Sequence, residues 1–340
     1  MPTITKPNLY FDVVTYTGTG ATQTITGLNF QPDFVWIKNR TNGANWHVLT
    51  DAVRGVQKEI YTNSTAAEAT LTTTGVNQFN SNGFQILGGS GDYNRSGDNY
   101  VAWCWKANGS GSTNTSGSIT STVSANTTSG FSIATYTGNG TTGTQVTVGH
   151  GLGVAPKMVI VKDRSNTNNW VVYTTILGSN KYLYLNLTDA AGSVGPYELS
   201  PTSSVFYIQG TETNASGHTY VAYSFAEVAG YSKFGSYTGN GSSDGPFVYC
   251  GFRPAFVMLK RVDATGEDWF IYDATRNPSN ATNLRLEPNL SDAEVATANV
   301  QDILSNGFKI RNVATSQNAS GINYIFAAFA STPFKYSLAR

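Results

Sequence analysis

Five landmarks recur three times along this chain in one fixed order, and that recurrence constrains the fold more than any other feature. Tyr16-Thr17-Gly18-Thr19-Gly20 returns as Tyr136-Thr137-Gly138-Asn139-Gly140 and as Tyr237-Thr238-Gly239-Asn240-Gly241. Sixteen to 20 residues on, a proline opens an apolar run: Phe34-Val35-Trp36-Ile37-Lys38 after Pro32, Met158-Val159-Ile160-Val161-Lys162 after Pro156, and Phe256-Val257-Met258-Leu259-Lys260 after Pro254. Next comes a tryptophan behind Asn or Asp, at Trp46, Trp170 and Trp269. Ser81-Asn82-Gly83-Phe84 is matched by Ser305-Asn306-Gly307-Phe308 and loosely by Ser203-Ser204-Val205-Phe206. Last, Ser96-Gly97, Ser216-Gly217 and Ser320-Gly321 lead through Tyr100, Tyr220 and Tyr324 into closing apolar runs.

These landmarks read as strands and turns. Tyr-Thr-Gly-x-Gly ends an edge strand, glycine accepting the positive φ of a tight turn. A proline suits a strand entrance, where no ladder donor is needed. The runs behind it are almost continuously apolar, as expected of central strands covered on both faces. Asn-Gly favours hairpin turns. The expected fold class is all-β: three tandem antiparallel β-sandwich, jelly-roll-like domains. The first covers 1–106 with a short N-terminal arm that could pair with a neighbouring chain. A flexible Ser/Thr/Gly linker fills 107–128, the second repeat 129–229 and the third 230–340. Each repeat is expected to fold around its own interior. The sites with helical character are Asp292–Val300, behind Ser291 as N-cap, and more weakly Ala66–Ala69.

Composition narrows the function. Lys and Arg total 21, as do Asp and Glu, and only 12% of residues are charged. Such a surface gives no electrostatic reason to bind nucleic acid or anionic lipid. No apolar run is long enough to span a membrane, and the N-terminus has no signal-peptide core, so synthesis in a cytoplasm is expected. Cys104 and Cys250 are 146 positions apart in different repeats and read as buried structural thiols.

Material for catalysis is sparse. His47, His150 and His218 occupy different landmarks, with no metal-ligand spacing, and read as surface or packing residues. Asp51 and Arg54 match Asp273 and Arg276, whereas the second repeat has Thr174-Thr175-Ile176-Leu177 there. That pair would grip a polar ligand or hold a turn by a local salt bridge, and the turn is the simpler reading. Asp92 and Asp98 flank a glycine-rich turn where a cation is conceivable. The glycine motifs lack the βαβ context of a dinucleotide site. Asn214 and Asn318 head glycosylation sequons that would count only in a secretory protein. The three repeated tryptophans fit a core position shared by all units, although aromatic side chains on loops could also stack on sugars. No catalytic, cofactor-binding or metal-ligating residue is assigned, and no cofactor is expected.

The stretch Lys233–Gly241, with Gly251-Phe252-Arg253-Pro254, Ser305-Asn306-Gly307-Phe308 and Asn318-Ala319-Ser320-Gly321, resembles a repeat domain of undefined function found in virion proteins of tailed bacteriophages, particularly marine ones. The resemblance covers all three repeats and is closest in the third. It implies a non-enzymatic virion structural protein, made in the host cytoplasm, on the tail in a fibre or host-contacting appendage. The alternative it leaves is a capsid decoration or cement protein, and a carbohydrate-binding module stands third. The partners it implies are other virion proteins, further copies of the same chain and a host surface glycan or receptor.

Overall fold

The computed structural model describes residues 4–142, 145–194 and 200–331. In the first unit the strands are β1 (Phe11–Thr17), β2 (Gln23–Thr26), β3 (Phe34–Asn39), β4 (Val48–Asp51), β5 (Lys58–Tyr61), β6 (Ala69–Thr70), β7 (Gly75–Asn80), β8 (Gly83–Leu87) and β9 (Asn99–Trp105). The segment after it holds β10 (Ser112–Asn114) and β11 (Ser121–Asn126). The second unit has β12 (Phe131–Thr137), β13 (Val146–Gly149), β14 (Met158–Asp163), β15 (Trp170–Thr174), β16 (Lys181–Tyr184), β17 (Gly192–Ser193), β18 (Val205–Ile208) and β19 (Thr219–Phe225). The third has β20 (Ser232–Thr238), β21 (Phe247–Tyr249), β22 (Pro254–Arg261), β23 (Trp269–Asp273), β24 (Thr282–Arg285), β25 (Val295–Leu304), β26 (Gly307–Ile310) and β27 (Asn323–Ala330).

The fold is all-β, and every unit is a sandwich of two antiparallel sheets. The major sheets run β1-β9-β3-β4-β5-β6, β10-β11-β12-β19-β14-β15-β16-β17 and β20-β27-β22-β23; the minor ones are β2-β8-β7, β13-β18 and β21-β26-β25-β24. Because side chains alternate across a strand, each major sheet has two apolar faces to bury. One face closes a private core: Val35, Ile37 and Cys104 meet Ile25, Phe84 and Ile86 in the first unit, and the second and third units repeat the arrangement. The opposite faces meet each other. Phe34, Trp36, Trp103 and Trp105 of the first unit pack with Ile160, Trp170 and Phe225 of the second and Phe256, Trp269 and Phe329 of the third in a shared core. Rings cross between units there, as in Phe34–Phe131 at 5.6 Å and Trp105–Phe329 at 5.4 Å. The central void is about 30 Å³ and lined by apolar side chains from all three units.

The expectation that each repeat folds around its own interior alone is therefore corrected. The continuous apolar runs expected of central strands are present, all six residues of β3 and of β14 being buried. Their second covering layer is the neighbouring units. Exposing that face would leave about 2–3 kcal/mol of unburied apolar surface for each large side chain, so no unit is self-sufficient.

The glycine motif has a more specific role than turning the chain. The second glycine of each motif has positive φ: +77° at Gly20, +70° at Gly140 and +68° at Gly241. The first is needed for close approach, since a Cβ on Gly18, Gly138 or Gly239 would lie 2.2–2.3 Å from the carbonyl oxygen of Arg95, Ala215 or Ala319. That contact clasps the motif to the Ser-Gly-x-x-Tyr turn, and the motif tyrosines stack with the turn tyrosines at 5.0–5.1 Å in all three units.

Four expectations fail locally. Residues 107–128 are no flexible linker: β11 pairs along β12, and Ile119 and Val123 enter the second unit's core. Threonine suits a strand, and a bare β12 edge offers it a ladder; β12 is consequently not an edge strand. The helix expected over Asp292–Val300 is extended and continues into β25, because ladder pairing and the Glu294 contacts described below outweigh a weak helical propensity. Residues near Ala66–Ala69 are likewise extended into β6. Of the arm, Met1–Thr3 lie outside the described residues, and Ile4 is buried in the shared core of its own chain.

Candidate functional site

The polar groups singled out in the sequence converge on the seams between units. Each apolar run ends in a lysine, and each of these lysines is buried and reaches a carbonyl of another unit. Lys162 Nζ donates to Thr65 O at 3.0 Å, Lys260 Nζ to Thr188 O at 3.5 Å and Lys38 Nζ to Ser291 O at 2.7 Å. The second unit thus holds the first, the third holds the second, and the first holds the third, closing a ring. Burial pushes all three ammonium groups down to about 8, against the pull of nearby carboxylates.

The tryptophan landmark serves the same ring. Trp170 Nε1 donates to Tyr61 O at 2.8 Å and Trp269 Nε1 to Tyr184 O at 2.9 Å. The third position is taken by His47, not Trp46: strand register aligns His47 with Trp170 and Trp269, four residues before Asp51, Thr174 and Asp273. A one-residue offset reverses the face. Trp46 is therefore 41% exposed and leans on Tyr61, and the expectation that it fills the shared core position is corrected. His47 is fully buried against Trp103 and faces the backbone of Glu287, and burial drives its pKa well below the usual imidazole range.

Asp51 and Arg54 form a buried pair, and so do Asp273 and Arg276. Both are more than turn salt bridges. Tyr223 of the second unit donates to Asp51 Oδ2 at 2.7 Å, and Trp103 of the first donates to Asp273 Oδ2 at 3.0 Å. Arg54 also binds Glu68, which pairs with Arg164 at 2.9 Å; Arg276 binds Glu294, which pairs with Arg40 at 2.8 Å. Burial opposes the charge on Arg54, yet Asp51 and Glu68 outweigh it and raise its pKa.

The remaining seam replaces every member of this cluster. Backbone bonds align Glu68, Glu294 and Ala191, whose N–H groups bind the carbonyls of Arg164, Arg40 and Val262 at 2.9 Å each. Asp and Arg become Thr174 and Leu177, the outer Arg becomes Val262, and the donors Trp103 and Tyr223 become Ala327. The acceptor is lost where the donor is lost. This explains why the second repeat lacks the Asp–Arg motif, and it assigns that motif to holding units together.

The other candidates have structural partners. His150 accepts from Leu152 N at 3.1 Å, and its other ring nitrogen lies 3.1 Å from Thr202 O. His218 Nδ1 lies 2.7 Å from Asp163 Oδ2. Asp98 accepts from Asn39 and Asn42, and Asp92 from the Trp46 N–H and Ser90, so both carboxylates are committed to protein donors. Among the described residues no cluster of His, Cys, Asp and Glu has the makings of a metal site. Both cysteines are buried free thiols. Asn214 and Asn318 are buried and hold the glycine-motif turns through Asn139 N and Asn240 N, so neither is placed to accept a glycan.

Two features were not legible in the sequence. At the open end of the second sandwich lies a cleft of about 360 Å³, lined by Tyr173, Tyr182, Ser193, Gln209 and Glu212 among others. Glu212 is oriented by Tyr184 Oη at 2.7 Å and Asn169 Nδ2 at 3.1 Å. In the first unit the strand position of Tyr182 belongs to Glu59, a buried carboxyl with one unpartnered oxygen that burial pushes up to about 8. Convergent hydroxyl, amide and carboxylate groups beside aromatic rings can hold a polyol.

No curated protein and no solved structure matches the chain. One family model does, over a span that takes in all three units and the segment joining the first two. The chain belongs to the family described as a domain of unknown function, DUF7483, whose model matches residues 6–333.

Proposed function

We propose that this protein is a non-enzymatic structural component of a tailed-phage virion, set in a host-contacting appendage of the tail and working by adhesion. The single observation that carries the reading is the use made of its charged groups. The buried Lys, Arg, Asp and Glu side chains at the seams bind one unit to the next, which makes a body suited to bearing load. The outward-facing glycine-motif turns are rich in Thr, Ser, Asn and Gly, a surface suited to contact through hydrogen bonding. The sequence resemblance to phage virion repeats supplies the setting, and the second unit's cleft offers a place for a host glycan.

A second reading has its own observation. Three units closed into a ring present three related faces, which suits a cap over a threefold junction of shell subunits, as in a head decoration protein. Gold-labelled antibody raised against the purified chain and imaged on intact virions separates the two. Label on the tail is expected; label on the head transfers the role to the shell, and unlabelled particles overturn both readings.

A further inference from the structure

The minor sheets of the three units differ at one edge. The strands β2, β13 and β21 are equivalent by register: Ile25, Val148 and Val248 point inward opposite Phe84, Phe206 and Phe308. Their outward neighbours are Thr24 and Thr26, then Thr147 and Gly149, then Phe247 and Tyr249. Only the third unit places large aromatic side chains there, with Phe247 45% and Tyr249 64% exposed.

In the second unit this edge is occupied. The segment Gly117-Ser118-Ile119 lies parallel to β13, with Ile119 bridged to Val148. Ile119 N donates to Thr147 O at 3.0 Å, and Thr147 N donates to Ser118 Oγ at 2.8 Å. A Cβ at Gly117 would lie 2.5 Å from Thr147 O, so glycine permits the approach, and Ile119 then drops into the core. In the third unit Ile310 N donates to Pro246 O, and Val248 forms the next ladder pair with Phe308. The alternation of an antiparallel ladder therefore turns the N–H and C=O of Phe247 outward. Among the described residues nothing lies on them. Natural edges are ordinarily blunted by charge or by a covering segment; here the nearest charges, Lys309 and Asp244, are paired with each other at 2.9 Å.

We infer that the β21 edge is a docking site for an extended, uncharged, Gly/Ser-rich segment of a partner protein, added as a parallel strand in the way residues 117–119 are added to β13. The aromatic side chains replace the covering contacts that the second unit receives from its own chain. The donor is a different protein, because a second copy already uses its equivalent segment on its own β13. The inference rests on the contact role proposed above only in taking the partner to be protein, and its test needs no virion.

The probe is a synthetic peptide of residues 114–120, added at millimolar concentration to the intact chain while amide hydrogen exchange is followed. Slowed exchange confined to residues 245–250 is expected, with at least tenfold weaker binding in Phe247→Pro. That substitution removes the outward N–H while leaving the ladder bonds to β26 intact. The double variant Phe247→Thr, Tyr249→Thr carries the first unit's side chains and should weaken binding similarly should the proline variant misfold. Absence of protection, equal binding by both variants, protection by neutral oligosaccharides in place of the peptide, or a dimer formed without peptide would each overturn the assignment.

Discussion

At the scale of single residues, His47 shows how one substitution changes a seam. Trp170 and Trp269 each satisfy a carbonyl of another unit with an indole N–H, whereas the third such position holds the smaller, titratable ring of His47. It faces Lys38 and Arg276, whose charges disfavour its protonation, and the backbone of Glu287. Its pKa in the folded chain is depressed, so below the ordinary imidazole value the unfolded chain binds the extra proton and stability falls with pH. A histidine that stays neutral costs about 1.4 kcal/mol per pH unit below that value. Denaturant titrations at pH 7 and pH 5 should therefore show His47→Gln losing less stability than the unaltered chain over that interval. An identical loss in both would remove His47 as the source.

At the scale of elements, the clasp between β4 and its neighbour in the second unit follows one rule: the acidic acceptor is present where the facing strand carries a donor. Removing one member breaks that rule. Arg54→Met leaves Asp51 buried without its cation, and a loss of about 3–5 kcal/mol is expected in equilibrium unfolding. Replacing the whole set with the residues of the apolar seam should recover most of it. That variant combines Asp51→Thr, Arg54→Leu, Glu68→Ala, Arg164→Val and Tyr223→Ala. If it is no more stable than Arg54→Met, the apolar seam is not an equivalent solution. The strands themselves were legible in the sequence, because alternation, prolines and Asn-Gly turns act locally. The Ser-Asn-Gly-Phe landmarks do close the β7–β8 and β25–β26 hairpins, with Ser81-Asn82 and Ser305-Asn306 as the loop residues and each glycine opening the next strand. What each strand faces was not legible. The pairing of Asp51 with Tyr223 spans 172 positions, and no local pattern encodes it. The same limit hid the strand in residues 107–128, whose composition matches a linker and whose structure depends on the β12 edge. Trp46 misled because a one-residue offset is invisible until register is known.

At the scale of the whole molecule, three private cores and one shared core make the repeat a unit of sequence and not a unit of stability. Sixteen to 20 residues separate the glycine motif from the proline in every copy, but the runs behind those prolines complete their burial only against each other. The family model's span over all three units agrees with that. Differential scanning calorimetry of the full chain is the most direct test. One transition is expected, with calorimetric and van't Hoff enthalpies equal, near roughly 230 kcal/mol if melting lies around 60 °C. Separate transitions, or a calorimetric enthalpy two to three times the van't Hoff value, would mean that the units unfold independently and that the shared core does not bind them into one body.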